Sequence, residues 1–174
     1  MSNHLIETVI FEFNRNKTLA EKAMAQLNDE EFAKKLSPES NSVQIIVQHL
    51  AGNMISRWTD FLTTDGEKEN RNRDGEFESQ NLSRAELMQQ WEKAWKILFD
   101  TLNNLTESEL ENTIHIRKEP MTVTQAMLRQ ISHYSYHVGQ IVQLAKEWKG
   151  ESWKTLSIPK NKSGEHGRGT YTMG

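Results

Sequence analysis

Two histidines four residues apart, His133 and His137, stand in the run Gln130-Ile131-Ser132-His133-Tyr134-Ser135-Tyr136-His137-Val138-Gly139-Gln140-Ile141. Inside a helical pattern this spacing puts both imidazoles on one face, one turn apart, where they can converge on a single divalent metal ion. Two ligands from one turn make half a site, and the third is expected to be His49, on an earlier helix-like run. Spacing by itself discriminates poorly, because six histidines scattered over 174 residues give roughly 0.2 such pairs by chance. The chain has no cysteine, so a metal would rest on His, Asp, Glu and water, and a thiol nucleophile would have to come from outside.

Composition limits what can surround such a site. A length of 174 residues fits one domain with a sizeable core. Charged residues make up 26% and hydrophobic ones 36%, with three Pro and nine Gly, the balance of a mostly helical globular protein. A formal charge of −3 without a dense basic patch argues against nucleic acid as a partner. No apolar run approaches the ~18–20 residues that cross a bilayer, and Met1-Ser2-Asn3-His4 does not open a secretory signal, so no membrane partner and a cytoplasmic location are expected.

Four long amphipathic segments must position the histidines. Residues 3–27 carry Leu5, Ile6, Val9, Ile10, Phe13, Ala20, Met24 and Leu27 at helical intervals. A short helical turn follows from the cap at Asn28 and the acidic run behind it, and Ser37-Pro38 breaks it. Residues 42–62 hold a 3.6-residue period through Val43, Ile46, Val47, Leu50, Met54, Trp58 and Phe61, with His49 at the border of the stripe. The charge-rich stretch from Thr63 to Asn81 then loses all periodicity and is long for a connection.

Ser83-Arg84-Ala85-Glu86 is a capping box that starts a helix over 84–105, whose stripe includes Trp91 and Trp95, read as core. A second box at Thr106–Glu109 predicts a short turn, and Thr113-Ile114-His115-Ile116 a brief extended piece closed by Pro120. A third box, Thr122–Gln125, opens the histidine helix over 123–149, which Gly150 stops. Tyr134 points into its stripe, Tyr136 is left open between solvent and a dimer surface, and Gly139 leaves room for close approach. Beyond it, Trp153, Leu156 and Ile158 are expected to dock, and the tail 161–174 to fray, leaving a domain over 1–160. Four long helices of this kind suggest an all-α four-helix bundle, an architecture that builds metal sites from facing helices.

These features together carry a resemblance. Asn41-Ser42 before the helix with His49-Leu50-Ala51-Gly52-Asn53-Met54, the phrase Ser56-Arg57-Trp58-Thr59-Asp60-Phe61-Leu62, and His133-Tyr134-Ser135-Tyr136-His137-Val138-Gly139-Gln140-Ile141 resemble the DinB-like superfamily, in a small branch found in bacilli and relatives. The likeness covers roughly residues 3–160. It implies a four-helix bundle of up-down-down-up order and a divalent metal, zinc or nickel, held by His49, His133 and His137. It also implies water in the remaining coordination positions, a homodimer and a small-molecule substrate. Some relatives are thiol S-transferases that use bacillithiol or mycothiol and others are described as metal-dependent hydrolases, so a low-molecular-weight thiol such as bacillithiol is a candidate cofactor.

No residue stands out as a general acid or a thiol-binding group. Asn53, Gln130 and Gln140 are placed to orient a ligand or a metal-bound water, against the plainer reading of ordinary polar bordering. Arg57, Asp60, Asp65, Glu67, Arg71 and Arg73 are expected to pair with one another and pin the long loop. His4, His115 and His166 have no such context. Two classes remain: an enzyme whose metal activates a thiol or water against an electrophile, and a non-catalytic or stress-related metal-binding module.

Overall fold

The computed structural model describes residues 4–80, 82–162 and 164. Its elements are α1 (His4–Met24), α2 (Asp29–Ala33), α3 (Val43–Trp58), α4 (Arg84–Asn104) and α5 (Val123–Lys149), with one antiparallel hairpin of β1 (Thr113–Ile116) and β2 (Glu119–Thr122). The chain is therefore mostly helical. α1 packs on α5 and α4, and α3 packs on α4 and α5, so every long helix touches two others. None of the described helices is long and apolar enough to cross a membrane.

Capping sets the helix starts where the sequence places them. Ser83 accepts from the Glu86 N–H while Glu86 reaches back to Ser83, and Thr122 and Gln125 do the same at α5. Asn28 and Glu31 close an equivalent box at α2. α3 ends at Trp58 rather than at Leu62, because Asp60 turns left-handed at φ 48° and its carbonyl accepts from the N–H groups of Thr63 and Thr64. α1 similarly ends at Met24, and Leu27 is buried from the turn that follows.

Pro120 does not close the extended piece: it lies within β2, opposite His115, where an edge position tolerates its missing N–H. The hairpin turn runs through Arg117 and Lys118 at φ 58° and 65°, a conformation that asparagine or glycine usually takes. Asp65 compensates, accepting from the Arg117 N–H at 2.9 Å and the Lys118 N–H at 2.7 Å. The long loop is thereby tied to the hairpin, and Gly66 N–H donates to the His115 carbonyl beside it.

The core is aromatic at its centre. Phe13 meets Trp58 edge-on at 5.8 Å, Trp95 at 6.2 Å and Tyr134 at 5.6 Å, joining α1, α3, α4 and α5 in one cluster. Trp91 and Trp95 are fully buried, as their stripe requires. Trp153 and Leu156 dock on this core, whereas Ile158 is exposed. Most of the tail expected to fray, including His166, lies outside the described residues.

Candidate metal centre

α3 and α5 bring His49, His133 and His137 together. One ring nitrogen of each lies within 4.8 Å of the others, and Nε2 of His49 is 3.3 Å from Nε2 of His133. Two nitrogens bound at about 2.0–2.1 Å in a tetrahedral sphere stand about 3.3 Å apart, so the spacing is that of two ligands to one ion. The three rings approach edge to face, at centroid distances from 4.9 to 5.4 Å, which aims nitrogens rather than faces at a common point.

Two of the three tautomers are set from behind. The Nδ1–H of His49 donates to Oε2 of Glu76 at 2.8 Å, and a carboxylate can only accept. The Nδ1–H of His137 donates to the amide Oε1 of Gln140 at 2.8 Å. In each ring the Nε2 lone pair is then free to face the cluster, the protonation a metal ligand needs. Burial pushes His133 down to about 3 and His137 down to about 4, and the neighbouring histidines add to the shift, so both are neutral near pH 7. The donor set of three converging imidazoles, His133 and His137 neutral and His49 and His137 oriented from behind, thus fits a divalent cation of borderline softness such as zinc or nickel.

His49 is far more enclosed than a border position implies, at 3% exposure. The loop after α3 folds back over it. Phe77 stacks on its ring at 4.6 Å, and Gln48 Nε2 reaches the carbonyls of Gly75, Glu76 and Glu78 at 3.1, 2.8 and 2.9 Å, fixing that turn on the helix. Arg71 grips Glu76 with Nε to Oε1 and Nη2 to Oε2, both at 2.7 Å, and its Nη1 reaches Glu67. Arg57 closes the chain by donating to Glu67 and to the Gly66 carbonyl. Burial pushes the Glu76 carboxyl up, but the bonds from His49 and Arg71 outweigh it and leave it below the usual range. Gly52 makes the fit possible, since a Cβ there would sit 2.5 Å from Glu76 Oε1.

The pairing expected of the loop charges therefore holds for Arg57, Glu67 and Arg71, while Asp65 binds backbone and Asp60 serves as a turn. Arg73 does not join the network; its guanidinium lies over the Phe77 ring. Of the residues expected to orient a ligand, Gln140 accepts from the His137 ring, whereas Asn53 accepts from the Tyr134 hydroxyl. Gln130 is buried with Oε1 unpartnered among the described residues. A Cβ at Gly139 would meet nothing within 4 Å among the described residues; Gly139 borders a cleft of about 550 Å³ shared with Ile46, Tyr136 and Gln140. His4 and His115 are exposed and do not belong to the cluster. Sequence reasoning missed Glu76, which sits in an aperiodic charge-rich run 27 residues from its partner.

Residues 1–162 match the family described as "Protein of unknown function (DUF1572)", and the chain belongs to that family. No curated protein matches it.

Proposed function

We propose that this DUF1572 protein is a metal-dependent enzyme of the DinB-like superfamily, an up-down-down-up four-helix bundle in which His49, His133 and His137 ligate one divalent ion. The observation that carries the reading is the convergence of three ring nitrogens on one point, two of them oriented from behind. A zinc or nickel ion held there would supply Lewis acidity, lowering the pKa of a small thiol or water so that it attacks an electrophile.

Among the described residues the cluster contains three metal-competent side chains and no fourth, a count that favours a position left open for a small molecule over a closed structural site. Glu76 and Gln140 keep two imidazoles in the ligating tautomer, and Phe77 shields His49 from water. The absence of cysteine is consistent with a thiol drawn from solution, bacillithiol being one of this kind. A cytoplasmic homodimer acting on a small-molecule substrate belongs to the same reading.

The test is a thiol-transfer screen on metal-loaded protein, with His133→Ala as the control. Transfer to a model electrophile by the wild type, lost in a folded variant, supports the enzyme. Hydrolysis without added thiol, lost in the same way, would make water the nucleophile. Tight metal binding with neither reaction across a broad screen would contradict catalysis and favour a binding module.

A further inference from the structure

Gly139 stands inside α5, where glycine is the least favourable residue short of proline. Nothing in the backbone requires it there. Its φ is not positive, and a Cβ would meet no atom within 4 Å among the described residues, so neither a turn nor a close helix contact explains it. What the missing side chain leaves is space. Gly139 lies on the wall of the cleft of about 550 Å³ between α5 and the segment that leads into α3. Small-molecule sites commonly have volumes of about 300–1,000 Å³.

The cleft adjoins the histidine cluster through two shared residues. Tyr136 lines it, and the same ring lies 4.4 Å from that of His137 and 5.2 Å from that of His133. Gln140 lines it too, and its Oε1 accepts from His137 at 2.8 Å, leaving its amide N–H groups without a partner among the described residues. Asn41 and Gln143, also on the lining, make no side-chain hydrogen bond among the described residues, while Ile46 and Leu144 supply apolar wall. Exposed amides are ordinarily just solvated. Around one concave apolar wall, however, they can fix a ligand's polar end while its carbon skeleton is buried. Glu39 is the one charged residue on the described lining, so an anion would find no cation there.

We propose that this cleft is a subsite for an uncharged, amide-bearing apolar part of the small molecule that meets the metal. An amide answers Asn and Gln side chains with both a donor and an acceptor, and its skeleton would lie against Tyr136, Ile46 and Leu144. A carboxylate in the same place would lose water without gaining a cationic partner, and would face Glu39. The molecule's role as substrate rests on the metal reading above; the cleft is formed by the chain alone.

The experiment follows the backbone and side-chain amide resonances of isotope-labelled, zinc-loaded full-length protein during titration with benzamide and, separately, with benzoate. Benzamide is expected to give saturable shifts at Gly139, Gln140 and Gln143 with a Kd on the order of 1 mM, and benzoate to bind at least about tenfold more weakly. Gly139→Leu favours the helix and fills the cleft, so it is expected to weaken benzamide about tenfold while zinc content stays at the wild-type level. Gly139→Ala, which adds one methyl, is expected to keep benzamide binding. Benzoate binding as tightly as benzamide, shifts confined to residues elsewhere, or wild-type affinity in Gly139→Leu would overturn this proposal alone. Shifts at the same resonances on raising protein concentration without benzamide would give the cleft to a second copy of the chain, and would overturn it equally. Failure of the protein to take up zinc would overturn the metal reading, and with it the cleft's role as a substrate subsite, whatever benzamide does.

Discussion

The two halves of the histidine cluster are built by different means. On α5, His133 and His137 owe their juxtaposition to helical spacing, and their support is light: an exposed amide, Gln140, behind one, and His49 itself, 3.3 Å away, beside the other. On α3, His49 is locked by a carboxylate that two guanidinium nitrogens grip, with an aromatic ring over it and a glycine making room beneath. The difference teaches that a helix can set ligand spacing cheaply by periodicity. Fixing the orientation of a ligand against water needs a segment from elsewhere in the chain.

Replacing the carboxylate strikes the locked half hardest. Glu76→Gln leaves the buried Arg71 guanidinium with Glu67 as its remaining carboxylate partner and removes the anionic acceptor behind His49. We expect a loss of about 3–5 kcal/mol in stability and about 10–100-fold in metal affinity, read by denaturant melts and metal titration. A variant as stable and as tightly metallated as wild type would erase the asymmetry between the halves.

Acid should act on both halves in the same direction. His133 and His137 take up protons in the folded state only near pH 3 and 4, whereas the unfolded chain takes them up near ~6.5. Between those limits the unfolded state binds more protons, so the stability of metal-free protein falls as the pH drops below about 6.5. Glu76, held below the usual carboxylate range, contributes stability that is present above about pH 4.5 and is lost below it. Denaturant midpoints from pH 8 to 4 check this, and a flat profile would mean that the imidazoles are not buried neutral.

Smaller changes sharpen the comparison. Gly52→Ala favours the helix by about 1 kcal/mol in propensity, yet its methyl meets Glu76 Oε1, so metal affinity should fall about tenfold while stability changes little. Gln140→Ala, on the lightly held half, should cost only about threefold, because water can replace an exposed amide. A reversed order, with Gln140 mattering more than Gly52, would place the orienting weight on α5.

The same asymmetry decides what could be read from the sequence. The α5 half was legible because the capping box at Thr122 and Gln125, the 3.6-residue stripe and the i,i+4 histidines all report on one local helix. His49 was legible as a candidate but not in its depth: its border position follows from α3 alone, and the burial comes from residues 60–80 folding over that face. Glu76 carried no signal, since nothing in an acidic and basic run tells which carboxylate returns to a helix 27 residues earlier. The hairpin was half legible, β1 by alternation, while the Arg117–Lys118 turn depends on Asp65, more than 50 residues away in sequence.

The central claim is tested most directly by the metal content of protein purified without an affinity tag, measured for wild type and for His49→Ala, His133→Ala and His137→Ala. About one divalent ion per wild-type chain is expected, with near-complete loss in each variant that keeps its helical circular dichroism. Metal-free wild type that takes up no zinc or nickel on titration, or a folded single variant that retains full occupancy, would contradict it.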